Sequence, residues 1–126
     1  MAAIQTLIVD DSSVMRKVVA RCLRQAGLEI GDVFEASNGV EALAVVSQHR
    51  PDLILSDINM PIMDGLEFVK KLQTLEQAKQ IPVVMITTEG GETHVAEAIS
   101  NGAKGYIRKP FTPDQVKQQI IPLLRS

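Results

Sequence analysis

The chain has 126 residues, 45% of them hydrophobic and 22% charged, which is the profile of one soluble globular domain. A formal charge of −2 and a pI near 5.6 argue against general affinity for nucleic acid, and no apolar run approaches the roughly 18 residues of a membrane span. Cys22 is the only cysteine, so no intrachain disulfide can form. The start, MAAIQTLIVDD, lacks the basic segment of a secretory signal. A cytoplasmic, membrane-free protein is expected, with residues 1–126 forming a single domain.

Taken in order, the chain alternates between short apolar runs and helical stripes. Ile4 to Val9 is predicted as a first strand running straight into Asp10 and Asp11. Ser12 or Ser13 can cap a first helix, and Val14, Val18, Val19, Cys22, Leu23 and Ala26 supply its apolar stripe before Gly27 ends it. Cys22 reads as a small core residue. Val33 to Ala36 is a second strand. Asn38-Gly39 opens a second helix carrying Val40, Leu43, Ala44 and Val46, which ends near His49-Arg50-Pro51. Leu53 to Asp57 is a third strand with the continuous apolar character of one buried on both faces. The Asp64-Gly65 turn leads to a third helix through Leu66, Phe68, Val69 and Leu72, with Lys70 and Lys71 on its wet side.

Pro82 to Thr87 is a fourth strand, and Gly90-Gly91 reads as a mobile loop. Val95, Ala96, Ala98 and Ile99 predict a fourth helix ending at Asn101-Gly102, and Gly105 to Arg108 a fifth strand. Thr112-Pro113 starts a last helix with Val116, Ile120 and Leu123 inside, and Pro122 should fray or kink its end. Five strand–helix units of this length predict an α/β fold, a doubly wound parallel sheet with helices on both faces.

Ligands of such sheets bind at the carboxyl ends of the strands. Those ends carry Asp10-Asp11, Asp57, Thr87-Thr88 and Lys109, so three carboxylates, a hydroxyl and an ammonium should meet at one edge. Clustered carboxylates repel one another, and a divalent cation relieves the repulsion. An all-oxygen donor set with room for water suits Mg²⁺. Lys109 can meet a phosphoryl oxygen, and a carboxylate can act as the nucleophile that becomes an aspartyl phosphate. Neither GxxxxGK[ST] nor GxGxxG occurs, which excludes nucleotide sites of those types. A merely structural cluster of Asp and Lys is the bland alternative.

Four segments together carry a resemblance: VDDSSVMRK at Val9–Lys17, SDINMPIMDG at Ser56–Gly65, MITTE at Met85–Glu89 and GYIRKPF at Gly105–Phe111. In them the chain resembles response-regulator receiver domains along its whole length, particularly those of the single-domain chemotaxis type. The flavodoxin-like strand order 2-1-3-4-5, with five helices, comes with that resemblance. So do the residue roles. Asp57 would be the phosphoacceptor, and Asp10, Asp11, Asp57 and the Asn59 carbonyl would hold Mg²⁺. Thr87 and Tyr106 would be the switch pair, and Lys109 the phosphoryl-binding cation. Asn59 and Glu89 would flank the attacking water, and the Lys109-Pro110 bond would be cis. The resemblance further implies a signalling phosphoacceptor, not an enzyme acting on others, that assists its own phosphorylation and dephosphorylation. Its donor would be a histidine kinase or phosphotransfer domain. A monomer is expected, meeting its protein target on the face of helix four, strand five and helix five; a flagellar motor switch is one such target.

Some positions depart from the family pattern. Thr88 stands where Ala or Gly is usual, and its bulk should narrow access to Asp57. Glu92 and Gln119 replace lysines common in motor-binding relatives, which keeps open a phosphorelay shuttle or a kinase-regulating receiver as alternatives. An aspartyl-nucleophile phosphatase would want a second carboxylate where Asn59 stands, and a flavodoxin-like cofactor carrier would lack the paired acids. His49 and His94 read as ordinary surface residues. Arg16, Lys17, Arg21 and Arg24 read as a solvated helix face, or else as a contact for the phosphotransfer domain. Met60 and Met63 should cover the loop after the third strand.

Overall fold

The computed structural model describes residues 3–87, 92–109 and 112–124. Strands β1 (Ile4–Val9), β2 (Ile30–Ala36), β3 (Leu53–Asp57), β4 (Val83–Thr87) and β5 (Gly105–Arg108) alternate with helices α1 (Ser13–Gln25), α2 (Gly39–His49), α3 (Gly65–Leu72), α4 (Glu92–Asn101) and α5 (Pro113–Leu124). All strand pairs are parallel, in the order β2-β1-β3-β4-β5. The chain therefore has the expected flavodoxin-like α/β architecture.

Successive strand residues point to opposite faces, and the core divides accordingly. Leu7, Val9, Ile54, Val83 and Met85 face α2, α3 and α4, where Phe68 and Leu72 are fully buried. Ile8, Leu53, Leu55, Val84 and Ile86 face α1 and α5, against Leu23, Val116 and Ile120. Three helices start on capping side chains: Ser12, Asn38 and Asp64 each accept a hydrogen bond from the amide three residues on. Gly27, at φ +91, ends the turn after α1 as its left-handed conformation requires.

Several stripes lie rotated from the sequence expectation. The buried face of α1 is Val19, Ala20, Cys22, Leu23 and Ala26, an i, i+1, i+3, i+4, i+7 set. Val14 and Val18 fall just outside it and are exposed. In α2 the inner residues are Gly39, Ala42 and Val46, while Val40 and Ala44 face solvent. In α4 Val95 and Ala98 are buried, but Ala96 and Ile99 are not. Strand β2 begins at Ile30 instead of Val33, because pairing with β1 extends it past Gly31 and Asp32. There the Asp32 amide donates to the Gln5 side chain at 2.9 Å. Helix α5 runs through Pro122 to Leu124 instead of fraying. Gln118, whose carbonyl loses its donor to the proline, is exposed where water can replace it. Cys22 is a core residue as expected, and burial pushes its thiol pKa up.

One loop residue stores strain. Ile62 has φ 69, and the Met63 amide donates to the Pro61 carbonyl at 2.7 Å, closing a three-residue turn around it. A β-branched residue is disfavoured there, and Ile62 is 82% exposed, so its side chain recovers little by burial. Ile62→Gly is expected to raise stability by about 1 kcal/mol in urea unfolding. An unchanged or lower midpoint would show that the turn is not strained.

Candidate functional site

The site follows from register. Val9 pairs with Ser56 across β1 and β3, so the next residues, Asp10 and Asp57, leave the sheet side by side. Asp11 follows Asp10, and the three can bring one carboxylate oxygen each within 4.8 Å of the others. Asp10 is 1% exposed, Asp57 is half-buried and Asp11 is exposed. From the end of β5, Lys109 sends its Nζ to 3.5 Å from Asp10 Oδ2 and 3.7 Å from Asp57 Oδ2. The Lys109 amide donates to the Thr87 carbonyl at 2.6 Å, which ties the lysine to the end of β4. Thr87 itself is buried.

Two of the three carboxylates are held, those of Asp10 and Asp57. Asp10 Oδ1 accepts from the Ser12 amide at 2.9 Å, and the Asp10 amide donates to Ala36 at 3.0 Å. Asp57 Oδ1 accepts from the Ile58 amide at 2.7 Å. Burial drives the Asp57 pKa above its ordinary value, and the Asp10 charge adds to that rise. Lys109 and the amides of Ile58 and Asn59 oppose it without cancelling it. A carboxylate whose charge is disfavoured beside a second acid is one that a cation would relieve. The donor set fits Mg²⁺: oxygen ligands alone, one of them solvent-facing.

The structure thus brings together Asp10, Asp11, Asp57 and Lys109, with Thr87 at the adjoining strand end. Asn59 is exposed two residues past Asp57. Tyr106 lies on β5 opposite Met85, 40% exposed, and forms no part of the cluster. Glu89, Thr88, the Gly90-Gly91 loop and the Lys109-Pro110 bond lie outside the described residues. Met63 is buried against Gly39, and Met60 packs partly on the core. His94 is exposed; His49 is exposed too, but stacks on Phe34 with ring centroids 4.4 Å apart.

One residue near the site escaped the sequence reading. Arg16 is not on a solvated face: its side chain is only 16% exposed, donating from Nε to Glu35 at 2.7 Å and from Nη1 to the Asp10 carbonyl. With its neighbours Lys17, Arg21 and Arg24 it lines an open groove of about 560 Å³ between α1 and β2. Nothing in a run of basic residues distinguishes the one that turns inward.

An open parallel sheet with acids at the ends of β1 and β3 and a lysine after β5 defines an α/β domain with its charged groups at the carboxyl edge, where ligands of such sheets bind. Residues 6–121 match the response regulator receiver domain, and the chain belongs to that family. It is 44% identical over 115 residues to the chemotaxis protein CheY1 of Helicobacter pylori, covering 90% of this chain and 91% of that one. It is 40% identical over 119 residues to a chemotaxis protein CheY homolog of Campylobacter jejuni, covering 94% and 90%. Among solved structures it resembles the chemotaxis response regulator CheY4 of Vibrio cholerae, at 38% identity, TM-score 0.84 and coverage of 98% and 100%. The receiver domain of NtrX from Brucella abortus is similar at 30% identity and TM-score 0.84, covering 96% and 98%. Among the described residues, no helix is long and apolar enough to cross a membrane.

Proposed function

We propose that this protein is a phosphoacceptor switch of chemotaxis signalling in which Asp57 receives a phosphoryl group from the phosphohistidine of a kinase or phosphotransfer partner. The observation that carries the reading is the placement of Lys109 Nζ 3.7 Å from Asp57 Oδ2, beside acids that converge within 4.8 Å. The chemotaxis assignment rests on relatives of that name matching this chain nearly end to end.

In the transfer, an Asp57 carboxylate oxygen forms a bond to phosphorus as the phosphorus–nitrogen bond of the donor breaks. The electron pair returns to the imidazole nitrogen. Asp10, Asp11 and Asp57, with the Asn59 carbonyl, would hold Mg²⁺, which when bound neutralises charge on the phosphoryl oxygens. Lys109 meets another of those oxygens and holds the product dianion. As the receiver resemblance implies, Asn59 and Glu89 would flank the water that later hydrolyses the acyl phosphate. The Thr87 hydroxyl turns toward the new dianion, and Tyr106 turns inward behind it. The surface of α4, β5 and α5 is thereby remodelled for a protein target. Moving such a switch from 1:99 to 99:1 takes about 5.5 kcal/mol of preference for the phosphorylated state. The acyl phosphate puts a charge of about −1.5 to −2 where the carboxylate carried −1, and holding that extra charge opposite a lysine and a cation is of the right size. A flagellar motor switch is one target that the receiver resemblance implies; Glu92 and Gln119, in place of lysines common in motor-binding relatives, keep open a relay or kinase-regulating output as the second reading.

The test is intact mass after incubation with phosphoramidate. One phosphoryl adduct in Mg²⁺ and none in EDTA is the expected result. An adduct that forms equally well in EDTA would overturn the magnesium-dependent part.

A further inference from the structure

We propose that Arg16 is a positioning residue for the acidic site, fixing the peptide plane between Asp10 and Asp11 and so the direction in which Asp11 is presented to a divalent cation. The inference rests on the reading of Asp10, Asp11 and Asp57 as the Mg²⁺ site.

Asp10 is held on three sides without Arg16: its amide by Ala36, Oδ1 by the Ser12 amide, and Oδ2 by Lys109. Asp11 is different. Among the described residues its carboxylate has no hydrogen-bond or ion-pair partner, and it is exposed. Its direction must therefore be set through the backbone. The plane that carries Asp11 begins at the Asp10 carbonyl, and that oxygen accepts from Arg16 Nη1. The guanidinium is in turn locked from the opposite side by Glu35 on the edge strand β2, at 2.7 Å. A planar fork can bind a carbonyl and a carboxylate together in one fixed geometry, and a lysine cannot. Partners one shell out from a metal ligand commonly set its orientation.

The charge of Arg16 argues the other way, which makes the proposal testable. A cation beside the site repels Mg²⁺, so if only its field mattered, removing it would tighten Mg²⁺ binding. Positioning predicts the opposite sign.

The experiment titrates the full chain with Mg²⁺ alone, reading the backbone amide shifts of residues 10–12 and 57–59 by NMR, for native protein, Arg16→Met and Arg16→Lys. Urea unfolding of each variant reports stability separately. The expected result is Mg²⁺ binding weakened by about 10-fold in Arg16→Met, with a loss in Arg16→Lys as well although its charge is kept. Unchanged or tighter binding in Arg16→Met, with the native protein binding normally, would overturn the positioning role and leave the metal site standing. If Arg16→Met does not fold, Arg16→Lys decides by the same criterion. Native protein that shows no Mg²⁺-dependent shifts at all would overturn the underlying site reading instead.

Discussion

Asp57→Asn is expected to abolish the phosphoryl adduct while leaving a folded protein that is more stable than the native one at neutral pH. The first half is chemical. An amide oxygen lacks the charge and nucleophilicity of a carboxylate, and the neighbouring acids face Lys109 or solvent without occupying the end of β3. Intact mass should show no adduct in Mg²⁺ under conditions that label the native chain. A full-strength adduct on Asp57→Asn would move the phosphoacceptor elsewhere. The second half follows from the raised pKa. In the fold the Asp57 carboxyl stays protonated to higher pH than its ordinary value of 3.8, chiefly because it is buried. The native state therefore binds more protons than the unfolded chain as pH rises through that interval, and stability falls across it. Above the folded pKa the penalty is complete. Asn carries none of it, so the stability gap over native protein should be present at neutral pH and close as the solution is acidified below about pH 4. Lys109 limits the gain by losing one partner, yet keeps Asp10 at 3.5 Å. Urea midpoints at the two pH values check the sign; a variant less stable than native at neutral pH would show that the lysine pairing outweighs the burial.

The sequence was most legible where one physical rule dominated. Leu53-Ile54-Leu55 has to be a strand covered on both faces, and it is. The paired acids, Asp57 and Lys109 each sit at the carboxyl end of a strand legible in the sequence, so the sheet rule alone gathers them at one edge. Helix faces were less legible. In α1 the valines Val14 and Val18 are as apolar as Val19, and only the packing against the sheet decides which are covered. Strand ends set by pairing were hidden as well: Gly31 and Asp32 look like a turn, and β1 makes them strand. Register was the largest unknown. That Val9 stands opposite Ser56 is what puts Asp10 beside Asp57, and no local pattern states it. Arg16 was illegible for the same reason, since its partners are a carbonyl six residues back, before α1 begins, and a carboxylate on β2.

Gly65→Ala is expected to damage fold and site together. Gly65 is the first residue of α3, where alanine would ordinarily be the better helix former by up to about 1 kcal/mol. Here a Cβ would stand 2.2 Å from the Asp57 carbonyl oxygen and 3.0 Å from the Ile58 Cα, with the Met85 methyl at 2.9 Å. Met85 can yield, but the two backbone atoms cannot move without carrying the end of β3. The Gly65 amide also donates to the Ile58 carbonyl at 2.8 Å, so the turn has little slack. Overpacking of this kind costs about 1–3 kcal/mol, which outweighs the helix gain. The nearest of the displaced atoms is the carbonyl oxygen of Asp57 itself, and a shift of about 1 Å at a reacting group can lower rates about 10²-fold. Gly39→Ala is the matched control: it too opens a helix, but the three atoms nearest its Cβ would all belong to the Met63 side chain, the closest at 2.6 Å. A methionine can change rotamer, so stability should drop by less than about 1 kcal/mol and labelling of Asp57 should stay at the native rate. Urea unfolding and the rate of adduct formation with phosphoramidate read both effects. A Gly65→Ala protein that is labelled as fast as Gly39→Ala would mean that the end of β3 is held by its ladder and Lys109, not by the close approach of α3.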